Sequence, residues 1–219
     1  MSSFFSSDTL SKMQIVPGRI LNFLVLGTDG QDSSLFIDAF LSKIHDAQLS
    51  TVDAIKSDTQ PAMSMTTVAV QWGHEVLCVN LTRISSAARL ASSSTFAYER
   101  ADGVIFITSS PTVDNVQILT RWRKEINSRT PSNSIPSIFV IQRGENQKMQ
   151  EKAASVAMIK ERGYKDVIPI LTGESEYAQS AVKNLIWHVM GKEPPQLTTS
   201  YGDLLAAASN GPTSFGNLF

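Results

Sequence analysis

The chain alternates short apolar runs with segments of helical period. Residues 20–26 are apolar except for Asn22, with Pro17 and Gly18 before and Gly27 after, the mark of a buried strand. Leu35, Phe36, Ala39, Phe40 and Ile44 then recur at helical spacing, with Asp32 and Ser33 where an N-cap belongs. Residues 46–65 are polar, carry Pro61 and show no period, so a loop is expected there. Two β-rich runs, 66–72 and 75–81, flank Gly73 and His74 and predict an antiparallel hairpin. Residues 85–98 are rich in Ala and Ser and predict a weak helix.

The alternation continues to residue 190. Residues 103–108 predict a strand, and Val113, Val116, Leu119, Trp122 and Ile126 mark an amphipathic helix. After a loop around Pro131 and Pro136 come a strand at 137–141, a Lys/Glu/Ala-rich helix at 147–162 stopped by Gly163, a strand at 167–171 and a closing helix at 178–190. Strands and helices alternating at these lengths predict an α/β fold: a mixed, mostly parallel sheet of six strands, one of them antiparallel, with helices on both faces. The domain is expected over 19–190, with a lead at 1–18 and a tail at 191–219.

The tail shifts to Pro, Thr, Ser, Gly and Ala and contains a small repeat. Residues 200–205 and 214–219 share the order Ser, aromatic, Gly, Asp or Asn, Leu, large apolar. Tyr201, Leu204, Leu205, Phe215, Leu218 and Phe219 are therefore candidate anchors of a short docking motif for a protein partner. Folding of each copy back onto its own domain is the other reading.

Composition narrows the function. With 42% hydrophobic and 18% charged residues, the 219-residue chain can build a core. A net charge of -1 argues against direct nucleic-acid binding. Cys78, the only cysteine, permits no internal disulfide and no cysteine-based metal cluster, and suits a reducing intracellular compartment, cytoplasmic or nuclear. No apolar run approaches spanning length, the first eight residues carry no signal pattern, Ser2 excludes myristoylation, and no cysteine stands near Phe219 for prenylation. Membrane contact is expected only through a partner.

The element order resembles that of Ras-like small GTPases, the P-loop fold with a hairpin set into an alternating α/β chain. Residues 23–34 resemble the first strand and phosphate loop, and residues 101–108 with Val116 and Trp122 resemble the fourth strand and its helix, as in Rab-type members. Two degenerate branches are similar in further detail. Leu10 to Lys12, Leu26 to Thr28 and Leu204 with Leu205 resemble the centromere protein M family. The stretch from Val104 through Trp122, the helix ending near Trp187, and Tyr201 to Leu204 resemble the alpha- and gamma-adaptin-binding protein family.

The motifs implied by the resemblance have decayed. A working loop reads G-x-x-x-x-G-K-[ST], in which glycines free backbone amides to cradle phosphate, lysine neutralises it and the hydroxyl binds magnesium. Gly27, Thr28, Asp29, Gly30, Gln31, Asp32, Ser33 and Ser34 occupy it here, with an acid for the second glycine and a serine for the lysine. Asp32 either takes the anion position itself, capping the helix with its carboxylate, or faces solvent. The D-x-x-G stretch has become Leu81, Thr82, Arg83 and Ile84. The base-reading N-K-x-D has become Gln142, Arg143, Gly144 and Glu145, and the S-A-K loop Thr172, Gly173 and Glu174. Thr66 or Thr67 could be a switch threonine or a plain strand residue.

No catalytic residue is assigned. His45, His74 and His188 match no metal spacing, no G-x-S-x-G elbow occurs, and Cys78 reads as a core residue. The expectation is a non-catalytic, pseudo-GTPase scaffold or adaptor without cofactor or metal. It would bind protein partners in a multi-subunit complex of kinetochore or vesicle-trafficking type. An atypical GDP- or GTP-binding switch is one alternative, and an unrelated doubly wound domain, a receiver or small-molecule binder without the hairpin at Gly73 and His74, is the other.

Overall fold

The computed structural model describes residues 4–6, 18–28, 30–42, 44, 63–72, 75–89, 91–131, 134–143, 156–171 and 175–191. The strands are β1 (Phe4–Ser6), β2 (Arg19–Gly27), β3 (Met63–Trp72), β4 (Glu75–Ile84), β5 (Gly103–Thr108), β6 (Ser137–Arg143) and β7 (Asp166–Leu171). The helices are α1 (Gly30–Leu41), α2 (Ser92–Glu99), α3 (Val113–Arg129) and α4 (Ser175–Met190), with a 3-10 turn at Ser86–Ala88. They form an α/β architecture around one mixed sheet.

The sheet runs β1-β3-β4-β2-β5-β6-β7. Strands β4, β2, β5, β6 and β7 pair in parallel, whereas β3 is antiparallel to both β4 and β1. The expected antiparallel pairing is present: Trp72 pairs with Glu75, and the register carries through to Met63 opposite Ile84. Six strands are those read from the sequence. The seventh, β1, is a three-residue edge strand within the expected lead, too short to show a period.

Two hydrophobic layers follow from the two-residue repeat of the strands. In β2, Leu21, Phe23 and Val25 point to one face, where they meet Phe36 and Phe40 of α1 and Ala178, Val182 and Leu185 of α4. Leu24 and Leu26 point to the other and meet Tyr98 of α2 and Leu119, Trp122 and Ile126 of α3. Strand β5 is buried at all its positions because helices cover both of its faces. At its first residue, a Cβ on Gly103 would lie 2.9 Å from Leu185 Cδ1, so glycine lets α4 seat directly on the sheet.

Several boundaries differ from the sequence reading. Helix α1 begins at Gly30, so Asp32 and Ser33 are its third and fourth residues and not its N-cap. The apolar stripe locates only the turns packed on the sheet, and the first turn faces the preceding loop. Of the loop expected at 46–65, residues 46–62 lie outside the described residues and 63–65 belong to β3, and β4 runs on to Ile84. Of the helix expected at 147–162, residues 156–160 are helical and the turn at 161–163 ends on Gly163 with φ 77, the left-handed stop that glycine favours. Residues 147–155 lie outside the described residues. Among those described, no helix is long and apolar enough to cross a membrane.

Candidate functional site

In an open α/β sheet the loops at the carboxyl ends of the strands are where ligands are met. Strand β2 ends at Gly27, and Thr28 N donates to Ile107 O of β5 at 3.2 Å, holding the loop against the neighbouring strand. Helix α1 starts two residues later. Asp32 in its first turn is 3% exposed, and Ser33 is buried beside it.

The Asp32 carboxylate is turned back toward the loop. Its Oδ2 accepts a hydrogen bond from Thr28 Oγ1 at 2.8 Å. Thr28 Oγ1 also lies 3.1 Å from Thr108 Oγ1 at the end of β5. Thr108 is tied in turn to Ser110, donating to its carbonyl at 3.1 Å and accepting from its amide at 3.2 Å. An acid in the first turn lies at the positive end of the helix dipole, where negative charge is stabilised. At 3% exposed, Asp32 is not the solvent-facing residue of the other reading.

On the other side of α1, Ser34 Oγ accepts from Arg83 Nη1 of β4. Sequence reasoning missed Arg83 as a site residue, since its partners lie on α1 and β3. Leu81, at the position of the motif's acid, is packed in the layer beneath α1 and α4, and Ile84 is buried in the opposite layer. Neither contributes a ligand atom.

Gln142, next to the last residue of β6, is 1% exposed, yet neither Oε1 nor Nε2 of its carboxamide has a hydrogen-bond partner. Ser175, the first residue of α4, is also buried with its hydroxyl unpartnered. Both belong to the carboxyl edge on which Thr28 and Asp32 lie. Arg143 closes β6 beside Leu171 of β7. Asp29, Glu145, Thr172, Gly173 and Glu174 lie outside the described residues, as do Tyr201, Leu204, Leu205, Phe215, Leu218 and Phe219.

Neither a protein-family model nor a curated protein matches this chain.

The remaining candidates are structural. Thr66 is buried in β3, and Thr67 donates to Asn80 Oδ1 at 2.8 Å, starting a ladder that Asn80 continues to Asn22 Oδ1 at 2.9 Å. His188 Nε2 meets Asp166 Oδ2 at 2.6 Å, tying α4 to β7, while His45 and His74 lie outside the described residues. Burial pushes the Cys78 thiol up, which disfavours the nucleophilic thiolate. Among the described residues, no group of three or more His, Cys, Asp or Glu is placed to hold a metal ion. The first turn of α1 therefore meets a carboxylate and hydroxyls, and the nearby guanidinium is engaged by serines.

Proposed function

We propose that this chain is a Ras-like domain that has given up nucleotide chemistry and acts by holding protein partners, as a non-catalytic subunit of an intracellular complex of kinetochore or vesicle-trafficking type. Two features support the fold assignment: the alternating α/β order and the single antiparallel hairpin set beside the first parallel strand. The observation that carries the function is the buried Asp32 carboxylate, hydrogen-bonded to Thr28 in the first turn of α1.

A phosphate cradle needs free amides and a cation. Here Asp32 supplies negative charge at that turn, and Ser33 stands where a lysine would supply two charged hydrogen bonds. Their loss costs roughly 3–6 kcal/mol, or two to four decades of affinity, before repulsion from Asp32 is counted. The tail repeat supports the binding role, since Tyr201, Leu204, Phe215 and Leu218 recur at the same positions of two copies.

Denaturing the purified protein and analysing the supernatant by ultraviolet absorbance and chromatography tests this reading. No stoichiometric nucleotide is expected, and one equivalent of GDP or GTP would overturn it. A second reading, an atypical switch that holds GDP or GTP without magnesium, is favoured by Gln142 and Ser175. Buried polar groups without partners cost about 1–3 kcal/mol each, a cost that a bound ligand could offset. The released supernatant decides between the two.

A further inference from the structure

Arg83 stands at the carboxyl end of β4 and is 7% exposed. Its side chain joins three elements. Nε donates to Ser64 Oγ at 3.2 Å, and Ser64 lies directly across the register on β3. Nη1 donates to Ser34 Oγ of α1. On the strand side, Arg83 pairs in register with Val25 of β2, whose side chain belongs to the core beneath α1. Burial lowers its pKa, and the nearby Asp38 on α1 opposes that shift. The guanidinium nevertheless stays charged at neutral pH, because its ordinary pKa lies far above that range.

The geometry suits arginine and not lysine. A guanidinium is a planar fork whose donors leave in fixed directions, so one residue can hold two partners at a set angle. Ser34 and Ser64 lie on different elements separated by a long stretch of chain, and the connection between α1 and β3 includes residues 45–62.

We propose that Arg83 is a built-in pin that fixes α1 against the β3–β4 hairpin, so that helix and hairpin keep one relative position without any bound ligand. The pin rests on the non-catalytic reading and sharpens it. A domain that switches must let a bound ligand set the relation between these elements. In this chain a side chain sets it permanently, and the surface shown to partners is constant.

Hydrogen–deuterium exchange on the full chain tests the pin. The Arg83→Met variant keeps the bulk and removes the charge and the fork. Amides of Gly30–Leu41 and Met63–Trp72 are expected to exchange about tenfold faster or more, as befits loss of charged hydrogen bonds, with β6 and β7 unchanged. Arg83→Lys should fall between. Wild-type exchange should not change when excess magnesium and GTP are added. Wild-type rates at both segments in Arg83→Met would sink the pin and leave the non-catalytic reading standing. Protection of wild-type α1 by magnesium and GTP would instead sink that reading as well. If Arg83→Met unfolds outright, Ser34→Ala decides, since it removes one leg only: faster exchange confined to α1 supports the pin, and unchanged exchange there rejects it.

Discussion

Replacing Asp32 by glycine together with Ser33 by lysine is expected to raise affinity for GTP by about one to two decades, the worth of one of the two charged contacts a lysine would supply there. The gain should be the same with magnesium or with a chelator. Glycine removes the carboxylate that Thr28 holds in the first turn, and lysine supplies a cation at the position that faces phosphate in a working loop. The metal half of the site is untouched by these changes. Ser34 Oγ, the hydroxyl that would meet magnesium, remains the acceptor for Arg83. Titration of a fluorescent GTP analogue measures both parts. No gain would mean that the loop is not a former phosphate cradle, and a gain that grows with magnesium would mean that Arg83 does not hold Ser34.

Trp122→Ala should have the largest effect on stability, about 3–5 kcal/mol by chemical denaturation. Trp122 is among the largest fully buried side chains and packs between α3 and the sheet with Leu119 and Ile126. Its Nε1 donates to Tyr98 Oη at 2.9 Å, and Tyr98 Oη donates in turn to Arg89 O at 2.9 Å. Burial raises the Tyr98 pKa, so the phenol stays protonated and able to make that second bond. Alanine leaves a cavity and removes the donor that joins α3 to α2. Trp122→Phe keeps most of the volume and loses one hydrogen bond, so it should cost closer to about 1 kcal/mol. This layer lies on the face of the sheet opposite α1. Trp122→Ala placed in the Asp32→Gly, Ser33→Lys background should therefore lower stability without changing the nucleotide affinity gained, and loss of that gain would show that the two layers are coupled.

Much of the fold was legible because the strands at 103–108 and 137–141 are apolar runs buried on both sides, and the run at 20–26 is buried from Phe23 onward. The hairpin was legible because Gly73 and His74 divide two β-rich segments, and the structure pairs Trp72 with Glu75 there. What escaped lacks a local signature. Strand β1 has three residues, fewer than any period needs. The start of α1 was placed late because its first turn meets the loop and carries no apolar stripe.

The site was legible in part. That Asp32 and Ser33 stand where a phosphate loop carries glycine and lysine can be read from the sequence alone. The direction of the Asp32 carboxylate cannot, because it depends on where Thr28 lies after the strand ends. Arg83 escaped for a different reason: its partners Ser34 and Ser64 are 49 and 19 residues away, and only the folded sheet brings them to one point. Gln142 was singled out by its motif position, but its unpartnered carboxamide appears only once the strand is buried.

Crystals grown with excess magnesium and a non-hydrolysable GTP analogue put the central claim to its most direct test. The account predicts the Asp32 carboxylate still on the Thr28 hydroxyl, Arg83 still on Ser34, and no triphosphate between them. A triphosphate seated against Ser33, with a divalent ion on Ser34 in place of the guanidinium, would contradict it.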